Sequence, residues 1–151
     1  MAETRDRTIL VTGGLGFIGG HFIELALERG YNVVNVDKIT YASDTRINDE
    51  FFKHEPYRYR FIKKDINDLT ELPYCRFIVH FAAESHVDNA IRDSDVFIRS
   101  NVLGTQNILN LLIDARRRNV SHAWTMELPT FIYVSTDEVF GDREKGFFRE
   151  D

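Results

Sequence analysis

Val11-Thr12-Gly13-Gly14-Leu15-Gly16-Phe17-Ile18-Gly19 ends an apolar run in glycines at positions 13, 16 and 19, the spacing that a nucleotide-binding turn needs. Thr8 to Val11 is β-branched and aliphatic, as expected of a strand buried on both faces. His21 to Arg29 carries apolar residues at helical spacing, at Phe22, Leu25 and Ala26. In that order of strand, turn and helix, Gly13 permits the tight turn and Gly19 lets helix and strand pack closely. Gly16 lets backbone N–H groups approach a pyrophosphate at the helix N-terminus. Taken alone, the same pattern is equally a tight turn with no ligand. Its context argues for the ligand: Asn32 to Asp37 reads as a second strand ending in an acid, where a ribose-binding carboxylate belongs.

Asp37 also separates two cofactors. A carboxylate accepts hydrogen bonds from a free ribose 2′-hydroxyl and repels a 2′-phosphate, so NAD is expected rather than NADP. The plainer reading is a solvated acid at a strand end. Lys38 beside it could tolerate some phosphate charge, although the arginine that usually accommodates a 2′-phosphate is missing.

Outward from this unit, strand and helix alternate. Lys38 to Glu55 lacks a clean period and is expected to be a loop bordering the adenosine, with one short helix around Asp49 to Lys53. Tyr57 to Lys64 leads into Asp65 and Ile66 as a third strand with an acid at its end. Asp65 could meet the adenine amino group or simply cap the following turn. Asn67 to Arg76 contains Pro73 and leaves room for little more than one helical turn. Phe77 to Ala83 is a fourth, central strand whose closing alanines would let a dinucleotide lie across the sheet. Ile98 to Val120 carries a helical stripe, Ile98, Val102, Leu109, Leu112 and Ile113, over about six turns. The arginines at 116, 117 and 118 offset the macrodipole of its last turn. Ser121 to Glu127 is irregular, Thr130 to Ser135 is a fifth strand, and Met1 to Arg7 is expected to be frayed. The expected fold is α/β, a doubly wound parallel sheet of the Rossmann kind with right-handed crossovers.

Length and charge bound the function. A chain of 151 residues, 43% hydrophobic and 28% charged, suffices for one domain with a real core. A net charge of −5 leaves no electrostatic footprint for nucleic acid or an acidic membrane, so a small-molecule ligand is expected. The single cysteine, Cys75, can form no internal disulfide, and no metal site is expected. No signal-peptide core or apolar span of about 18 residues is present, which makes the cytoplasm the default location.

The fifth strand is followed by Ser135-Thr136-Asp137-Glu138-Val139-Phe140-Gly141, a hydroxyl and two adjacent carboxyls at the edge of the expected crevice. Neighbouring acids serve acid–base chemistry when their surroundings keep one protonated and the other ionised. Alone, the pair would be an acidic solvated turn.

Three stretches together, Gly13 to Gly19, Ala82-Ala83-Glu84-Ser85-His86-Val87-Asp88 and Ser135 to Gly141, resemble the extended short-chain dehydrogenase/reductase superfamily. Within it the chain most resembles the nucleotide-sugar 4,6-dehydratases of the dTDP-glucose type. The resemblance runs from Thr8 to Gly141, and the Thr-Asp-Glu triplet is its most specific element. Epimerases and decarboxylases of the superfamily share the glycine turn but generally lack both acids, and they stay as the alternative enzymes.

The resemblance implies NAD as cofactor and a nucleotide sugar, a dTDP- or UDP-hexose, as substrate. It puts Phe17 and Ile18 at the pyrophosphate, Asp37, Lys38, Ile39 and Thr40 at the adenosine ribose, and Asp65 with Ile66 at the adenine. Phe81, Ala82, Ala83, Glu84, Ser85 and Ser100 would line the nicotinamide half, with Ser85 and Thr136 also touching the sugar. In such enzymes a tyrosine, helped by a lysine four residues later, removes the O4 proton as hydride leaves C4. Glu138 would then abstract the C5 proton while Asp137 protonates the departing C6 hydroxyl, and the hydride returns to C6.

Two departures from the family stand out. The crossover from Asp65 to Phe77 is shorter than usual, and the chain stops at Asp151, before the family's tyrosine and lysine, its sixth strand and its substrate-binding domain. Tyr59 and Lys63 match the tyrosine–lysine spacing, but on a strand their side chains would lie about 13 Å apart. The expectation is the cofactor-binding part of a longer, homodimeric enzyme, inactive alone. A complete, non-catalytic dinucleotide-binding or interaction module is the other reading.

Overall fold

The computed structural model describes residues 7–86, 91–121 and 128–149, apart from the side chains of 118–121 and Asp137. The expected frayed start up to residue 6, the irregular stretch 122–127, Val87, Asp88 and the Asp137 carboxyl lie outside the described residues. The elements run β1 (Thr8–Thr12), α1 (Phe17–Glu28), β2 (Asn32–Asp37), α2 (Thr45–His54) and β3 (Tyr59–Lys63). A 3-10 turn (Ile66–Asp68) leads to β4 (Phe77–His80). Then come α3 (Ser94–Phe97), a π-helical stretch (Ile98–Gly104), α4 (Thr105–Ser121), β5 (Thr130–Tyr133) and a second 3-10 turn (Asp137–Phe140).

All five strands are parallel, in the order β3-β2-β1-β4-β5. Side chains alternate across a strand, so each central strand feeds two cores. Ile9, Val11, Val33, Tyr59 and Val79 pack with Ile23, Ala26 and Leu27 of α1. Leu10, Val36 and Ile78 pack on the other face with Ile66, Leu69, Cys75, Ile108 and Leu111. This double burial explains the unbroken β-branched and aliphatic run of β1 and the valines at 33, 34 and 36 of β2. Each fully buried aliphatic side chain there stabilises the sheet by about 1.5–3 kcal/mol.

Several boundaries differ from the sequence reading, each for a local reason. α1 begins at Phe17, not His21, because Gly19 and Gly20 sit buried inside its first turns. A Cβ on Gly19 would lie 2.3 Å from the Gly13 carbonyl oxygen, so close packing overrides glycine's poor helix propensity. α2 is longer than the short helix expected around Asp49 to Lys53, since Asp44 caps it by accepting the Arg46 N–H at 3.0 Å. The long helical region starts earlier, at Ser94 behind an Asp93 cap. It also opens into the π-helical stretch before α4, where a Cβ on Gly104 would come within 2.4 Å of Ile66. β4 and β5 end sooner than expected, at His80 and Tyr133.

The chain moves outward from β1 through β2 to β3, then returns to place β4 on β1's other side. Loops leaving the C-terminal ends of β1 and β4 therefore diverge and leave a crevice between them. No helix of the described residues is long and apolar enough to cross a membrane.

Candidate functional site

The crevice begins where β1 stops. Gly13 takes the left-handed conformation, φ +72°, and donates its N–H to the Val36 carbonyl at 2.9 Å. A Cβ there would lie 2.7 Å from both the backbone N and Cα of Ala82, so the turn touches the residues after β4 directly. Gly16 is the N-cap of α1 but offers no side chain to cap it, and no acidic residue stands in the first turn. Phe17 and Ile18 are 83% and 61% exposed, so the helix start is open and its positive end is available to an anion.

Asp37 closes the turn from β2. Its Oδ2 accepts the Leu15 N–H at 3.0 Å, and its Oδ1 accepts the Ile39 N–H at 2.8 Å and the Ser43 hydroxyl at 3.2 Å. A carboxylate offers about four acceptor positions, so three of these leave room for one ribose hydroxyl. Ile39 is held at φ +62°, a conformation that β-branched residues avoid at a cost of about 1–2 kcal/mol. That strain is tied down by the Asp37 carboxylate itself.

Lys38 turns inward. Its Nζ donates to Ser100 Oγ at 2.9 Å and lies 3.8 Å from Asp65 Oδ2 and 3.9 Å from Glu84 Oε1. Its charge is thus engaged between two carboxylates. Asp65 Oδ1 accepts from the Asn67 backbone N–H and side-chain amide at 2.9 and 2.8 Å. Asp65 caps the 3-10 turn and also lines the crevice. Burial pushes its carboxyl up, yet the Asn67 hydrogen bonds with the Lys38 and Arg99 charges outweigh burial and hold it below the usual carboxylate value.

A partly open crevice of about 100 Å³ lies here, lined by Gly13, Gly16, Asp37, Lys38, Thr40, Asp65, Ile66, Phe81, Ala82, Ala83 and Ser100 from the sequence reading. Glu84, expected there too, also lines it, together with Val36, Ala42, Ser43 and Lys64. Phe17, Ile18, Gly19, Ile39 and Ser85 are not part of that lining, and neither are Thr136 and Glu138. A larger groove, about 800 Å³, runs between α1 and α2 over Leu27, Ile47 and Phe51, but Glu24, Glu28, Glu50 and Glu55 rim it and would repel a pyrophosphate.

β5 brings the expected chemical groups toward the same sheet edge. Val134 N–H donates to the His80 carbonyl at 3.2 Å, so Ser135 to Glu138 continue beyond the paired strand ends. Thr136 Oγ1 accepts the Glu138 N–H at 3.3 Å and caps the turn Asp137–Phe140, leaving Glu138 exposed. Tyr59, by contrast, is buried on β3, where its hydroxyl accepts from Asn35 and donates to Asn48 at 2.9 and 2.8 Å. Burial pushes the phenol up to about 12, with the Asn35 hydrogen bond opposing and the Asp37 charge adding to the rise. Tyr59 is no proton acceptor at neutral pH, and its match with Lys63 along one strand is coincidence.

His80 is fully buried at the end of β4, and burial pushes its imidazole down to about 4. Between that value and the ordinary 6.5, the unfolded chain takes up a proton that the native chain refuses. Stability is therefore expected to be full above pH 6.5 and to fall by roughly 3 kcal/mol as the pH drops to about 4. Urea unfolding at several pH values should show this loss, and His80→Phe should flatten the part due to this residue.

Residues 10–151 match the GDP-mannose 4,6 dehydratase family. Among curated proteins, the chain is 40% identical to a dTDP-glucose 4,6-dehydratase of Mycolicibacterium smegmatis over 90% of this chain and 38% of that one. It is 38% identical to the low-salt glycan biosynthesis protein Agl12 of Haloferax volcanii, covering 95% and 44% of the two chains. A solved dTDP-glucose 4,6-dehydratase, DesIV of Streptomyces venezuelae with NAD and TYD bound, superposes with a TM-score of 0.78 at 37% identity. That match covers 93% of this chain and 43% of DesIV. The chain thus spans about two fifths of the length of the relatives it matches.

Proposed function

Because the chain belongs to the GDP-mannose 4,6 dehydratase family, we propose that it forms the NAD-binding unit of a nucleotide-sugar 4,6-dehydratase. The observation that carries this reading is the open N-terminus of α1, set beside a buried Asp37 with one acceptor position to spare. Backbone N–H groups at Phe17 and Ile18 would meet the pyrophosphate, and Asp37 would take a ribose hydroxyl. Asp65 would face the adenine, and the small Ala82 and Ala83 leave room for the nicotinamide half. NAD, when bound, supplies a hydride acceptor that can later give the hydride back.

The chain's own groups handle the sugar and its protons. Glu138 takes the proton from C5 of the oxidised sugar, Asp137 protonates the departing C6 hydroxyl, and Thr136 and Ser85 hold the hexose. The substrate is a dTDP- or UDP-hexose; the similarity to dTDP-glucose 4,6-dehydratases supports the dTDP form. The protein works in the cytoplasm as a homodimer. The exposed stripe Ile98, Val102, Leu109 and Ile113 supports that pairing.

The test uses protein translated from the entire reading frame and a panel of nucleotide sugars. Glu138→Gln should keep NAD affinity while slowing formation of the 4-keto-6-deoxy product by about 10²–10⁴-fold. Normal dehydration by that variant would remove Glu138 from the mechanism.

A further inference from the structure

A directional chain of hydrogen bonds runs beneath the crevice and ends on the backbone of its lining. Thr105 Oγ1 lies 2.8 Å from the Asn101 carbonyl, one helical turn back, and 3.0 Å from His80 Nε2. The hydroxyl has one proton, and a carbonyl can only accept, so that proton goes to Asn101 and the Nε2–H of His80 donates to Thr105. Nδ1 must then be the acceptor, and it receives the Thr12 hydroxyl at 2.5 Å. Thr12 Oγ1 in turn accepts the Ala82 N–H at 3.4 Å, while the Thr12 carbonyl takes the Phe81 N–H at 3.0 Å.

The segment Phe81 to Glu84 is therefore fastened at both ends. At its start the Thr12–His80 pair holds Phe81 and Ala82. At its far end the Asn101 side chain accepts the Glu84 N–H at 2.8 Å and donates to the Glu84 carbonyl at 2.9 Å. Both fastenings lead back to the same helical turn, through Thr105 and Asn101. The rings of Tyr133 and Phe131, with centroids 5.5 and 5.9 Å from the imidazole, keep His80 from swinging aside. What the fastening sets is the height of Ala82 against Gly13, a backbone contact with no space for a Cβ.

We propose that His80, as the neutral Nε2–H tautomer, is a positioning residue that holds Phe81 to Glu84 against the glycine turn and so sets the shape of the dinucleotide crevice. The proposal rests on the NAD-binding reading. His80 itself touches no ligand in this account. A purely structural histidine would lower stability when replaced without altering affinity in the molecules that stay folded.

The experiment has two arms on the same chain. The first is ¹⁵N NMR of the His80 ring at pH 7, where a protonated Nε2 and a bare Nδ1 are expected; an Nδ1–H tautomer or a doubly protonated ring overturns the proposal. The second is calorimetric NAD titration of Thr12→Val, His80→Phe and the double variant, at a temperature where thermal unfolding shows each fully folded. Each single variant should lose about tenfold in NAD affinity, the worth of one hydrogen bond. The double variant should lose little more, because both changes break the same link. His80→Asn, whose Oδ1 can stand where Nδ1 stood, should recover most of the loss. Unchanged affinity in the variants with a lowered melting temperature overturns this proposal alone, whereas absence of NAD binding by the unaltered chain overturns the function reading and this proposal together.

Discussion

Gly13→Val is expected to abolish measurable dinucleotide binding and to destabilise the fold by several kcal/mol. The residue sits at φ +72°, where a side chain costs about 1–2 kcal/mol, and β-branching makes that worse. Its new Cβ would also stand 2.7 Å from the Ala82 backbone, and forced overpacking of this kind costs roughly 1–3 kcal/mol more. Backbone rather than a flexible side chain is in the way, so relief requires β4's continuation to move off the turn. That movement opens the crevice at its narrowest point. Melting temperature and NAD titration should fall together in this variant; a folded Gly13→Val protein that binds NAD normally would show that the turn is not the pyrophosphate site.

Asp37→Ala should produce the second largest effect, through binding more than through folding. Three donors, Leu15 N–H, Ile39 N–H and the Ser43 hydroxyl, lose their shared acceptor. Hydrogen bonds to a charged group are worth about 1.5–3 kcal/mol each, and a buried donor left without a partner is costly. Ile39, no longer tied, can leave its strained conformation and take Thr40 with it. NAD affinity is expected to fall by at least about tenfold, with a smaller change for NADP, since the carboxylate that repels a 2′-phosphate has gone. Titrating both nucleotides against the variant checks the pair of effects. Equal losses for NAD and NADP would mean that Asp37 only braces the turn.

How far the sequence could be read depended on what each element buries. β2 was legible to the residue because both its faces feed a core, which places Val33, Val34 and Val36 in the run and an acid at its end. α2 was underestimated because its apolar side is short, Ile47 and Phe51 one turn apart in a largely polar run; its clearer signal was the Asp44 cap. The first turn of α1 was hidden by Gly19 and Gly20, which break helix propensity but permit close packing on the glycine turn. At the site, strand-end acids such as Asp37 and Asp65 were visible because a parallel sheet sends its ligands to those ends. Ser43 was not singled out, since it reaches the crevice from a loop whose path no local pattern encodes. His80 reads in sequence as one polar residue inside an apolar strand, and its partners Thr12 and Thr105 are 68 and 25 residues away.

The central claim is that the crevice between the ends of β1, β2 and β4 takes NAD in preference to NADP. Calorimetric titration of the unaltered chain with each nucleotide, under identical buffer and salt, tests it most directly. Saturable one-to-one binding of NAD, tighter than that of NADP, is the predicted result. Tighter binding of NADP, or no heat from either nucleotide with folded protein in the cell, would contradict it.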